Sequence, residues 1–351
     1  MQAARDTVLN PIAALAACAL AGVACAAIRV PLPWMIGPML AMAACNAAGA
    51  GLRAPARGRE VGQVVIGTAL GLYFTPVVAR EVAALWYILV AAAILAIAIG
   101  ASCGWVLSRL SGTDRSTAFF ASIPGGATEM AVLAERFGAR VDHVAFAQSL
   151  RILMVVVVIP FSLTFSGVHG ADLHVVAASR EDPAGLAQLL GLTLAGGATL
   201  RLLRVPNPFM FGPLLVSSLL AMLEVQFSSM PSPLSNTGQL LLGCALGARF
   251  GRRSLGGLPL LAASVAASVV AAMAFSTAVA FAISKATGVS FPTLVLAVAP
   301  GGIAEMCITA KVLQLGVPLV TAAHVVRVVV LVSATGWVYQ AALRLGSRIR
   351  N

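Results

Sequence analysis

Two glutamates, two arginines, a glutamine and a histidine are the side chains best placed to do chemistry, and all of them stand near a run that breaks helices. Glu129 follows Pro124-Gly125-Gly126 and Glu305 follows Pro300-Gly301-Gly302, within the matched stretches Ser122–Met130 and Val298–Met306 that lie 176 residues apart. A proline removes a backbone donor and a glycine pair is costly in a helix interior, so two such breaks in the same apolar setting are not accidental. A break of this kind frees N–H groups at one helix end and carbonyls at the other, as secondary transporters do at mid-depth to build substrate and ion sites.

Each carboxylate falls in the first turn of the restarted helix. There it either complements its own helix dipole or acts as a proton- or cation-coupling group, the default functional reading of an ionisable residue in a membrane. Arg151 and Arg327, also 176 residues apart, lie seven or eight residues into the next apolar run, about 10 Å deep at a rise of 1.5 Å per residue. Three readings compete for them: snorkelling to the nearer interface, a structural ion pair with Glu129 or Glu305, and a clamp for an anionic solute. Gln148 and His324 are equivalent positions three residues earlier and therefore share a helix face with the arginines. His324 reads either as a proton relay or as a histidine bonded to a neighbouring helix.

The elements that must hold these residues belong to a membrane. Hydrophobic residues make up 60% of the 351, charged residues 10%, and the mean hydropathy is +0.96, against about 25% charged in an average soluble domain. Apolar runs long enough to cross a bilayer recur from end to end, which predicts an all-α polytopic bundle rather than an alternating barrel. The net charge of +11 comes from 23 basic residues set singly or in threes between apolar runs. They read as topology signals facing anionic headgroups, not as a nucleic-acid surface. The six cysteines lie in apolar stretches without a C-x-x-C, and His143, His169 and His174 have no ligand spacing, so neither a metal nor a cofactor is expected.

The duplication extends well beyond the two breaks. Arg29-Val30-Pro31 matches Arg204-Val205-Pro206, and Pro33-Trp34-Met35-Ile36-Gly37-Pro38 matches Pro208-Phe209-Met210-Phe211-Gly212-Pro213. Residues 11–28 resemble a signal peptide, but their counterpart at 184–202 predicts that they are retained. The proline pairs are expected to kink or partly unwind their helices. Gly62-Gln63, Gly67 and Gly71 match Gly238-Gln239, Gly243 and Gly247, small residues that admit a close helix neighbour. This gives repeat 1 over 11–166, a polar linker over 167–183 and repeat 2 over 184–345.

The positive-inside rule separates two topologies. Six crossings per repeat divide the Lys and Arg almost evenly. With five crossings and a re-entrant Pro-Gly-Gly element in each repeat, only Arg29, Arg80, Arg180, Lys285 and Lys311 face away from the N-terminus, while 16 basic residues face its side and Arg151 and Arg327 stay within the membrane. About ten crossing helices, inverted halves and two cytoplasmic termini follow. A broken helix that crosses, with another segment that does not, gives the same inversion.

The paired Pro-Trp-Met-Ile-Gly-Pro and Pro-Phe-Met-Phe-Gly-Pro motifs, with the paired Pro-Gly-Gly-x-x-Glu-Met, resemble the AbrB family of bacterial membrane proteins over nearly the whole chain. The resemblance implies a duplicated inner-membrane domain, and members carry labels as regulators of gene expression and as ammonia monooxygenases. Metal ligands for an oxygenase are missing from the sequence, as is any β-rich DNA-binding stretch. The residues favour a secondary transporter or exporter of a small anionic solute, with a membrane-embedded sensor acting on gene expression as the alternative. The expected partners are the lipid bilayer and a small molecule or ion; the oligomeric state is left open, a homodimer included.

Overall fold

The computed structural model describes residues 2–168, 170, 182–251 and 259–348, with the side chains of these except 2–9, 127–129, 332 and 334–348. Most of the linker expected at 167–183 falls outside them, as does the side chain of Glu129. The described residues form fifteen helices and no strand. In this strongly apolar chain each helix satisfies its own backbone, as a lipid environment demands. Among the described residues five helices are long and apolar enough to cross a membrane, or six if a pair bent by 90° is one span.

Two compact units are formed, and each draws segments from both sides of the linker: residues 1–83, 159–257 and 307–318 make the first, and 84–158, 258–306 and 319–351 the second. The first unit contains α1 (Gln2–Ala27), α2 (Pro33–Ala47), α3 (Gly58–Gly71) and α4 (Pro76–Ala84), then α9 (Pro183–Leu202), α10 (Pro208–Met222) and α11 (Ser232–Gly247). Pro33 and Pro208 do not unwind anything. They open α2 and α10 at the first turn, where a missing N–H costs nothing, and each helix runs on through Pro38 or Pro213. The bend comes one residue earlier, where Leu32 and Asn207 take left-handed φ of 50° and 48°.

Glycines set the packing of this unit. A Cβ on Gly67 would stand 2.7 Å from the Met210 carbonyl oxygen, and one on Gly71 2.6 Å from that of Leu214. The partners advance together by four residues, so α3 and α10 run parallel. Gly243 and Gly247 meet the Met35 and Met39 carbonyls in the same way, making α11 parallel to α2. Between α3 and α11 the order reverses: Gly62 packs on Leu242 while Gly238 packs on Ile66. These two helices are antiparallel.

The second unit holds α5 (Trp86–Ser111), α6 (Arg115–Ser122), α7 (Ala127–Arg136), most of α8 (Val141–Phe165), α12 (Pro259–Thr287), α13 (Phe291–Val298), the start of α14 (Ile303–Leu313) and nearly all of α15 (Val317–Arg348). Gly100 and Gly104 on α5 let Ile123-Pro124 and Ala118-Phe119 approach closely. After the break at 123–126 the chain turns back beside α6. The Arg140 N–H donates to Thr117 Oγ1 at 2.8 Å and the Phe137 ring stacks on Phe120 at 5.6 Å.

Candidate functional site

The break after α6 leaves the carbonyls at that helix's C-terminal end without intrahelical partners. Ile123 is extended at φ −64°, ψ 129° and Gly126 at −67°, 137°, so the segment between α6 and α7 is fully unwound. Two side chains of α8 satisfy it. Gln148 Nε2 donates to the Phe120 and Ile123 carbonyls at 2.8 and 2.9 Å, and Arg151 spreads its fork over Ile123 O at 2.9 Å and Gly125 O at 3.0 Å. The rigid planar guanidinium spans two carbonyls at once, which an ammonium does not do with the same geometry.

The second break is built alike. Arg327 Nη1 and Nη2 donate to the Ala299 and Gly301 carbonyls, and His324 Nε2 lies 2.9 Å from Leu296 O. Because a carbonyl only accepts, Nε2 of His324 carries the proton and Nδ1 is the bare nitrogen. Phe120, Ile123 and Gly125 correspond residue for residue to Leu296, Ala299 and Gly301. Gln148, Arg151, His324 and Arg327 are all buried.

The helix starts differ from the sequence expectation. Both α8 and α15 start earlier than their apolar runs suggest, so Arg151 and Arg327 are each the eleventh residue of their helix. At 1.5 Å per residue that is about 15 Å along the helix from its first residue. Snorkelling gives way to carbonyl binding, since both guanidinium groups are held where they are.

Glu305 is buried and folds back over its own helix start, its carboxylate occupying the space a Cβ on Gly302 would need. It stands at the third position of α14, where a carboxylate complements the positive helix end. Glu305 and Arg327 stand near enough to Arg151 for their charges to act on it, one attracting and the other repelling. Glu129 has its backbone in α7, its side chain lying outside the described residues.

Sequence reasoning passed over the methionines that close both motifs. Met130 and Met306 are fully buried, and their side chains lie over Gly125 and Gly301 within 3.0 Å of where a Cβ would be. Their recurrence was the available signal. Ser122 was also missed; it lines a void of about 10 Å³ beside Arg151, room for about one water. Among the described residues no group of three His, Cys, Asp or Glu could hold a metal ion.

Comparison with known proteins finds relatives over most of the chain. The chain is 26% identical over 310 residues to a protein of Escherichia coli K12 named "Putative regulator AbrB", covering 86% of this chain and 87% of that one. It is 28% identical over 295 residues to "Uncharacterized protein YhjN" of Bacillus subtilis 168, covering 78% and 75%. No solved structure matches. The family described as "Transition state regulatory protein AbrB" matches residues 34–342, and this chain belongs to it.

Proposed function

We propose that the chain is a secondary transporter or exporter of a small anionic solute in the bacterial inner membrane, with no catalytic role. The observation that carries this reading is the pair of unwound Pro-Gly-Gly elements, each held by an arginine from mid-helix at equivalent positions. Unwound backbone beside helix ends is where such carriers bind solutes and ions, and the excess of positive charge favours an anion. Glu305 and the bare nitrogen of His324 are the groups available for a coupling proton.

The proposed frame is two inverted repeats, 11–166 and 184–345, joined by 167–183, with about ten crossing helices, two re-entrant elements and both termini cytoplasmic. Helix direction supports inversion. Under a two-fold axis in the membrane plane α3 and its counterpart α11 must be antiparallel, and α10 must run parallel to α3. An axis along the membrane normal requires the opposite in each case, and the glycine contacts agree with the first.

The test is flux into proteoliposomes holding the purified chain, across a panel of organic and inorganic anions, with and without proton or sodium gradients. Saturable uptake that responds to one gradient is the expected result. Absence of flux across the whole panel sinks the reading. The printed name of the Escherichia coli relative supports a second one, a membrane-embedded regulator, which requires a soluble partner to co-purify specifically with the chain.

A further inference from the structure

The first unit contains a half-open cavity of about 220 Å³ that no motif marks. Its polar lining comes from Ser232, Ser235, Asn236 and Gln239 on α11 and Lys311 on α14, and Ile66 and Leu70 on α3 supply apolar wall. Lys311 is half-buried, and its ammonium makes no hydrogen bond or ion pair among the described residues. Ser235 is 5% exposed, and its hydroxyl has no hydrogen-bond partner. A buried hydroxyl is costly to leave unsatisfied, and an ammonium drawn half out of water without a counter-charge is costly as well. Both are explained by a ligand that accepts from each.

We propose that this cavity binds a small organic carboxylate with a short apolar body. An ammonium, two hydroxyls and two carboxamides line the space and no acidic side chain does, so an acceptor-rich anion is selected over a cation. The aliphatic wall favours a carboxylate carrying a few carbons over inorganic phosphate, which holds its water strongly. The volume is that of about seven waters at ~30 Å³ each, a monocarboxylate of some four to six heavy atoms with its residual hydration. Under the inverted topology the cavity opens on the outer face. Binding itself does not depend on transport.

The full chain in lipid nanodiscs is titrated calorimetrically with butyrate, butyramide and inorganic phosphate. Butyrate is expected to bind, and butyramide, which has the same shape without charge, is not. Lys311→Gln should weaken butyrate at least about tenfold, the loss of a charge-assisted contact, and Ser235→Ala about three- to tenfold, while Lys311→Arg retains binding and controls for folding. Phosphate binding in place of butyrate overturns the ligand class. Unchanged affinity in both Lys311→Gln and Ser235→Ala overturns the site, and no binding of any probe overturns the proposal. Butyrate binding without flux would count against transport alone, and flux without Lys311-dependent binding against the cavity alone.

Discussion

At the residue scale, the central fact is that backbone carbonyls of the two breaks are hydrogen-bond partners of Gln148, Arg151, His324 and Arg327. Gln148 and His324 serve the same carbonyl in opposite halves with different chemistry, one able to titrate and one not. His324→Gln is therefore expected to change stability by less than about 1 kcal/mol, because an amide reaches the equivalent oxygen in the other half. Thermal unfolding of the purified variant checks this, and flux measured on the same sample tells whether the imidazole carries a proton. Retained fold with lost proton coupling assigns the relay to His324; a shift of several degrees in Tm shows that the ring's packing matters more than its donor.

At the element scale, stability rests on glycine seams where one helix's small residue meets a carbonyl of its neighbour. Gly243→Ala pushes a methyl into the Met35 carbonyl across α11 and α2, and an overpacked backbone contact of this kind costs about 1–3 kcal/mol or more. Gly191→Ala, on an exposed turn of α9 with nothing within 4 Å, should instead be neutral or stabilising by up to about 1 kcal/mol. Unfolding midpoints of the two variants measured together separate seam packing from helix propensity. The seams were legible, since Gly67 and Gly71 recur as Gly243 and Gly247. Their partners were not, because a backbone carbonyl leaves no mark in the residue code. The Pro-Gly-Gly breaks were legible for the opposite reason: proline and glycine are the residues whose backbone behaviour the code does record. Lys311 stayed hidden because its counterpart is Glu135, so matching the halves pointed away from it.

At the scale of the whole molecule, the inverted frame makes opposite predictions for the two breaks. Single cysteines in a background lacking the six native ones serve best at Arg115, Arg140 and Ala286, which are exposed. Gly112 and Gly288, with φ of 66° and 74°, would strain a cysteine. Arg115 and Arg140 are expected to label with a membrane-impermeant maleimide from the cytoplasmic face only, and Ala286 from the outer face only. Labelling of Arg115 and Arg140 from different faces would make the first Pro-Gly-Gly element a crossing one, and inversion would then require another segment of the repeat not to cross.

The sharing of each compact unit between the two sides of the linker reaches into how the protein is made. The Met35 and Met39 carbonyls of α2 and the glycines Gly67 and Gly71 of α3 find their partners in α11 and α10, some 200 and 140 residues later in the chain. While the ribosome is still reading the second half, the first lies in the bilayer with its seams against lipid. A nascent chain released at residue 166 would thus have neither unit to fold into, and quality-control proteases would meet the truncated half as an unassembled substrate.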